Sequence, residues 1–445
     1  MKLAAIVRSA ALVSAIALIP ATTAGLAQVD GRAGPEFAKL FAVYQRIKAS
    51  YVEPVDDDKL IRGAIDGMLA SLDPHSGYLD GGDLQRLETM IDGNYSGLGL
   101  SVVMDDGAVK VVSPFKGSPA DKVGVKAGDF ITHLDGKLIY GGELDEAVAK
   151  MRGPAGSTIR LTIFRTGREE PFDVTVTRGV IELEPVTHKL EAGNIGYISV
   201  NEFSRDVGAD VLTAWNDLRK RAAGRVNGLV LDLRQNPGGS LDEAVALADL
   251  FLDKGQIVSQ RGRAKGESLV YEAESVFRGD MAKGVPVVVL IDAGSASASE
   301  IVAGALQDQR RAVVMGERSF GKGSVQTLLP LGRTAALKLT TALYYTPSGH
   351  SVQEGGIDPD IQVPQLSDPD LARREKFRLR ESDLRGHLVN EAALKDEELE
   401  RDRKDDPRFQ MTAEQLKEKG IEDFQLTYAL DTLRRTTPSA MARRN

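Results

Sequence analysis

The chain has 445 residues, 42% hydrophobic and 27% charged, a balance ordinary for folded globular domains and enough material for several of them. Cysteine is absent, which excludes disulfides, thiolate metal sites and a cysteine nucleophile. With 56 basic against 64 acidic residues the formal charge is −8, so phosphate-backbone binding is not expected and nucleic acid is set aside as a partner.

Met1, Lys2 and Arg8 give a basic start, Ala10 to Ile19 is apolar apart from Ser14, and Gly25-Leu26-Ala27 offers a small-x-small cleavage site. That order predicts a secretory signal peptide over 1–27 and an exported, periplasmic or otherwise extracytoplasmic protein. The apolar run is short for a membrane span; an uncleaved N-terminal anchor, with membrane association, or a buried helix is the competing reading. Losing Lys2 and Arg8 with this segment takes the charge from −8 to −10. Residues 28–95 are predicted to be helical, because Phe37, Leu40, Phe41, Tyr44 and Ile47 recur at helical spacing, as do Leu60, Ala64, Met68 and Leu69. Asp73-Pro74-His75-Ser76-Gly77 breaks that pattern. His75 is read there as a turn or packing residue, and with no second histidine at ligand spacing no metal site is expected.

Residues 96–180 change to short alternating runs: Val109 and Val111, then Ile159, Leu161 and Ile163, then Phe172, Val174 and Val176. Asp106-Gly107 and Asp135-Gly136 are turn signals. One helix is predicted from Leu144, Ala147, Val148 and Met151. A β-rich module of this size with a late helix, opening on Gly97-Leu98-Gly99-Leu100, resembles a PDZ domain. The resemblance implies that those four residues receive a peptide's C-terminal carboxylate while the peptide adds a strand beside them. A small barrel used only for packing is the alternative.

From 181 to 365 strand and helix alternate. Leu229-Val230-Leu231 and Val285 to Ile291 read as buried strands. Leu241, Val245, Ala248 and Phe251 form one helical stripe, and Ile301, Val302, Ala305 and Leu306 another, which predicts an α/β core with right-handed crossovers. Residues 366–445 turn to dense mixed charge, as in Arg373-Arg374-Glu375-Lys376 and Lys404-Asp405-Asp406. Leu416, Phe424, Leu426, Ala429, Leu430 and Leu433 still offer apolar contacts there, so a helical extension or partner arm is expected, with a solvated tail as the other reading.

Three segments of the core carry chemistry. Gly294-Ser295-Ala296-Ser297-Ala298-Ser299-Glu300 lies between a buried strand and a helix. Small residues there admit a substrate backbone, and a helix start presents unpaired N–H groups, so Ala298 N–H is placed to receive an oxyanion formed by attack of Ser297. The competing reading is a capping box, Ser297 to Glu300. Ser319-Phe320-Gly321-Lys322-Gly323-Ser324-Val325-Gln326 supplies a lysine flanked by glycines beside an aromatic ring. Burial there would depress the amine far enough to make it a base near neutrality. If the stretch is a strand, Gln326, four residues on, faces the same side and can orient the lysine. Gly316-x4-Gly321-Lys322 also matches part of a phosphate-binding loop, but Gly323 stands where a Ser or Thr is needed and strand residues follow where a helix should. A histidine-based triad is disfavoured, since His75, His133, His188, His350 and His387 are scattered and no Gly-x-Ser-x-Gly elbow exists. Finally, Pro237-Gly238-Gly239 exposes backbone N–H groups after a buried strand, or is an ordinary tight turn, and Ser240 with Glu243 caps the next helix.

Together, Gly-Ser-Ala-Ser-Ala-Ser-Glu (294–300), Phe-Gly-Lys-Gly-Ser-Val-Gln (320–326), Leu-Arg-Gln-Asn-Pro-Gly-Gly (233–239), Tyr-Tyr-Thr-Pro-Ser-Gly (344–349) and Leu-Asp-Pro-His-Ser (72–76) resemble the C-terminal processing peptidases, from about residue 35 to 365. The resemblance implies a multidomain α/β protein: a ClpP/crotonase-like core with an inserted PDZ domain and helical N- and C-terminal segments. It implies a serine endopeptidase acting near substrate C-termini, with Ser297 as nucleophile, Lys322 as base, Gln326 orienting it, and the N–H groups of Gly239 and Ala298 as oxyanion hole. It further implies no cofactor, a PDZ domain that binds the tail and gates the site, homo-oligomers built through terminal helices, and in some members a lipoprotein adaptor. A PDZ scaffold that captures tails without cutting them is the main alternative, and a nucleotide-binding protein a remote one.

Overall fold

The computed structural model describes residues 33–84, 87, 94–105, 107–115, 117–139, 144–168, 170–182, 185–264, 266–274, 279–367, 380–391, 409 and 411–436. The expected signal segment, Asp106 and the charged clusters at 373–376 and 404–406 lie outside them. No described helix is long and apolar enough to cross a membrane.

The chain forms two compact units, one ending at Met68 and the other running from Leu69. In the first, α1 (Ala33–Ser50) leads to α2 (Asp57–Ala70). Lys48 Nζ lies 2.6 Å from the Asp57 carboxylate, which also accepts from the Tyr44 hydroxyl at 2.7 Å. Phe37, Leu40 and Phe41 do recur on a helix, yet their side chains are exposed, so this periodicity marks no core within the unit.

The helical pattern breaks at residues 73–77, where turn-forming residues were expected to break it. The Asp73 carboxylate accepts from the N–H groups of His75 and Ser76 and from Ser76 Oγ, turning the chain after α2. The turn delivers β1 (Gly77–Leu79), which pairs with a distant strand of the core.

The β-rich module follows. β2 (Asn94–Gly97) opens it, and β3 (Leu100–Asp105), β4 (Ala108–Pro114), β5 (Phe130–Leu134), β6 (Lys137–Leu138), β7 (Thr158–Phe164) and β8 (Phe172–Thr177) form an antiparallel sheet. α3 (Pro119–Lys122) and α4 (Leu144–Met151) lie between strands, and β9 (Gly179–Glu182) closes the module by pairing with β2. Ile159, Leu161 and Ile163 of β7 point inward at alternate positions to meet Val109, Val111 and Ile131. Asp135 and Gly136, both at positive φ, make the β5–β6 turn.

Two sheets build the remainder. β10 (Val186–Glu191) runs antiparallel to β11 (Ile195–Val200), and parallel strands follow: β12 (Gly228–Asp232), β15 (Val287–Ile291), β16 (Val313–Gly316) and β19 (Ile361–Gln362). β13 (Gln256–Gly262), β14 (Leu269–Glu272), β17 (Ser324–Leu331) and β18 (Ala335–Tyr345) join β1 in an antiparallel sheet. Helices α5 (Val207–Arg221), α6 (Leu241–Asp249) and α7 (Ala298–Asp308) pack on one face of the parallel sheet, burying Trp215, Leu247 and Val302 among Leu229, Leu231 and Val289. Every residue of β12 and β15 is buried, which is why Leu229, Val230 and Leu231 and the whole of β15 read as unbroken apolar runs.

The other face corrects the picture of a separate C-terminal arm or solvated tail. After α8 (Ala413–Glu418), α9 (Phe424–Thr436) lays Ala429, Leu430 and Leu433 on Ile195, Val230, Val288 and Leu290. Arg234, at the end of β12, bonds Asp232 and Asp423 at 2.6 and 2.7 Å and fixes the entry to α9. The helix expected in this charged stretch is there, and the apolar residues singled out for it give the sheet its second apolar cover.

Candidate active site

Ser297 sits at the N-terminus of α7, just after β15, with φ 54 and ψ −109. A non-glycine residue in that region carries strain of about 1–3 kcal/mol, tolerated only where the surroundings impose it. They do. Asn236 O accepts from Ala296 N and Ser299 Oγ, both at 3.0 Å, while Ser295 Oγ donates to Leu233 O at 2.8 Å. The Pro-Gly-Gly turn presses in from the other side: a methyl on Gly238 would lie 2.9 Å from Ser297 Cβ and 3.0 Å from Ala298 N. The capping-box reading is only partly realised. Glu300 reaches back to accept from Ser297 N at 2.7 Å, but the Ser297 side chain makes no cap bond. The Tyr344 phenol is the side chain that acts on its hydroxyl.

Ala298 N–H and Gly239 N–H find no acceptor among the described residues. Gly239, at φ 144, bridges to Phe203, and a methyl there would lie 2.4 Å from Phe203 O. Only glycine permits that approach.

Lys322 lies on the loop between β16 and β17. Phe320 N donates to Ser295 O and Tyr344 N donates to Gly323 O, at 2.9 and 2.7 Å, so the loop is pinned to both the serine turn and β18. Glu300 completes the attachment. This fully buried carboxyl accepts from Ser319 Oγ, from Gly321 N at 2.7 Å and from Lys322 N at 3.0 Å. One of its oxygens, Oε2, takes both the Ser297 and the Lys322 N–H. Burial raises the Glu300 pKa to about 7 against the lowering effect of those donors. The Lys322 amine is largely buried, and that desolvation, with Lys338 nearby, holds it below the usual lysine range, while Glu381, Glu300 and Asp73 pull the other way. Burial pushes the Tyr344 phenol up to about 12, so it remains protonated near neutrality.

Gln326 is on β17, but Lys322 precedes that strand and a register shift separates Val325 from Gln326. Simple alternation along one strand therefore does not set their relation. The Gln326 amide nitrogen donates to Ser324 Oγ and Thr340 Oγ1 at 3.0 and 3.2 Å, and Thr340 Oγ1 donates to Asp73. The Asp73 turn thus reaches the lysine region through Thr340. Sequence reasoning missed Glu300 as more than a cap, and missed Thr340 and Tyr344. The Ser-x-x-Glu spacing was the only visible signal for the first.

Among the described residues no histidine hydrogen-bonds Ser297. His75 bonds Glu381, His133 bonds Thr132, His188 bonds Asp217 and His387 bonds Glu354. The loop at 316–323 leads into β17 and not a helix, so no helix N-terminus stands behind it to hold a phosphate. Among the described residues no cluster of His, Asp and Glu is arranged to hold a metal ion.

In the β-rich module, Gly97, Leu98, Gly99 and Leu100 line a cavity of about 80 Å³ with Val102, Val148, Met151 and Arg152. Leu98 O accepts from Ala120 N and Gly99 O from Phe115 N, both at 2.9 Å, which fixes the loop from behind.

Residues 194–363 match peptidase family S41, residues 96–176 match a PDZ domain, and residues 19–82 match the activating protease CtpB N-terminal domain. A carboxy-terminal-processing protease of Bartonella bacilliformis is 48% identical over 354 residues, 79% of this chain and 80% of that protein. The carboxy-terminal processing protease CtpB of Bacillus subtilis is 37% identical over 82% of this chain and 74% of its own length. A solved photosystem II D1 C-terminal processing protease is 31% identical, with a TM-score of 0.46 over 75% of this chain and 90% of that one.

Proposed function

The chain belongs to the carboxy-terminal processing proteases of peptidase family S41, serine proteases that here carry a PDZ domain, and we propose that Ser297 is its nucleophile and Lys322 its general base. The single observation that carries this reading is the Glu300 oxygen that binds the main chains of both residues, holding a strained serine beside a largely buried amine. Ser297 Oγ attacks the scissile carbonyl carbon as its proton passes to Lys322 Nζ. The oxyanion takes the free N–H groups of Ala298 and Gly239. Lys322 then gives the proton to the leaving amine, and a water activated by the same amine releases the acyl group. Gln326, fixed by Ser324 and Thr340, orients the lysine. Tyr344 stays protonated and is a partner for the Ser297 hydroxyl, not a base.

Substrates are proteins with exposed C-termini. The tail enters the cavity at Gly97–Leu100, where Leu98, Val148 and Met151 favour a small apolar last residue. β2 and β9, which lead into and out of the PDZ domain, are paired, so tail binding can move one ribbon and thereby gate the core. The domains are proposed as 28–95, 96–180, 181–365 and 366–445 after a signal peptide over 1–27. Export to an extracytoplasmic space, homo-oligomerisation and an adaptor belong to the same proposal.

The test is digestion of an unfolded protein ending in a free apolar tail. Wild type should cut it, and Ser297→Ala and Lys322→Ala should each abolish cutting with the thermal transition preserved. Cleavage surviving in either variant would overturn the assignment, and a wild type that binds the tail without cutting would be the scaffold.

A further inference from the structure

Residues 380–391 lie beyond the stretch that matches the peptidase family, yet they grip the lysine loop. Glu381 is fully buried. Its carboxylate lies 2.8 and 3.0 Å from His75 Nε2 and accepts from Gln353 Nε2 at 2.9 Å. A buried carboxylate persists only where donors replace the lost water, and these come from two distant parts of the chain. The Glu381 N–H donates to Phe320 O at 3.2 Å. Gln353 passes the contact onward, since its Oε1 accepts from Gly323 N at 3.0 Å. The loop carrying Lys322 is therefore held by Glu381 directly at Phe320 and through Gln353 at Gly323.

The rest of the segment stiffens the same arrangement. Asn390 donates to Gln353 O and to Glu354 Oε2, His387 Nε2 lies 2.7 Å from Glu354 Oε1, and Glu354 N donates to Gly321 O. No slack exists where these loops meet: a methyl on Gly323 would lie 2.4 Å from Gln353 N, and one on Gly321 2.6 Å from Glu354 O. Four charged groups act on the amine. Glu381, Glu300 and Asp73 favour the ammonium, and Lys338 opposes it.

We propose that Glu381 is a positioning residue for Lys322, clamping the 73–76 turn, the 351–356 loop and the lysine loop together, so that a segment outside the peptidase core completes the active site. The inference rests on Lys322 being the general base.

The experiment measures kcat and KM across pH for full-length wild type, Glu381→Gln, Glu381→Ala and Lys322→Ala on one unfolded protein substrate, with thermal melts alongside. Glu381→Ala should lose about tenfold to hundredfold in kcat at little cost in KM, because the base is displaced while the substrate contacts stay. Glu381→Gln keeps the shape and removes a charge that favours the ammonium, so the acid limb of its kcat profile should move to lower pH. Should Glu381→Ala fail to fold, that limb decides alone. An unmoved limb in Glu381→Gln, with Lys322→Ala inactive, sinks the clamp and spares the base. Turnover surviving in Lys322→Ala sinks both.

Discussion

Glu300→Gln is the substitution whose effect the structure specifies most fully. All four partners of the carboxyl donate to it: the N–H groups of Ser297, Gly321 and Lys322, and the Ser319 hydroxyl. Only the hydroxyl can turn round to accept, while still receiving Ile357 N–H at 2.7 Å. A glutamine can therefore keep its oxygen on Ser297 and Lys322 and point its amino group at Ser319, leaving Gly321 N–H without an acceptor. A buried donor stranded this way costs about 1–3 kcal/mol. Against that stands the charge itself. The folded pKa of about 7 lies above the ordinary 4.5, so the stability this group contributes is complete below 4.5 and is lost as pH rises through 7. The loss comes to about 3 kcal/mol by the top of that window, and the variant does not suffer it. Thermal melts at pH 5 and pH 8 should show Glu300→Gln well below wild type at the lower pH, with the gap closed or reversed at the higher one. A gap that stays constant or widens with pH would refute the reasoning.

Gly238→Ala should fold but lower kcat by about a hundredfold or more, since its methyl would press on Ser297 and on Ala298 N, displacing an oxyanion donor; wild-type turnover would count against the proposed hole. Lys322→Met should abolish cleavage and raise the melting temperature at pH 7, by about 0.5–2 kcal/mol in stability. The sign follows from a folded pKa below the unfolded one: the ammonium's cost is complete below the folded value and recovered as pH rises toward 10.5, so the gain should shrink by pH 10. A variant less stable than wild type at pH 7 would contradict the buried-amine argument. Gly99→Ala places a methyl 2.4 Å from Ser118 Cβ at a φ of +71, so affinity for a peptide with an apolar C-terminus should fall about tenfold or more by fluorescence anisotropy. Unchanged affinity would move tail binding away from that loop.

Local chemistry made much of this protein readable from its residues. Val287–Ile291 and the Leu229, Val230 and Leu231 stretch of β12 are buried on both sides, so nothing polar interrupts them, and α4 and α7 keep their apolar stripes at helical spacing. The serine turn and the glycine-flanked lysine stood out because small residues and a lone amine are costly choices inside an α/β core. The C-terminal helix α9 was harder, since its exposed face carries the charges and its apolar stripe is short. β1 was missed for another reason: three residues have no period of their own and are strand only because β18 lies beside them.

The order of the segments and the identity of Ser297 and Lys322 as a pair worth testing were set by sequence alone, because turn chemistry, burial pattern and side-chain type are local properties. What the tertiary structure decided was their surroundings. Asp73, Glu300, Lys338 and Glu381 come to act on one amine only after the chain has folded. Whether a lysine stays an ordinary surface cation or becomes a base depends on the water and charges it loses or keeps there, a quantity no stretch of sequence contains.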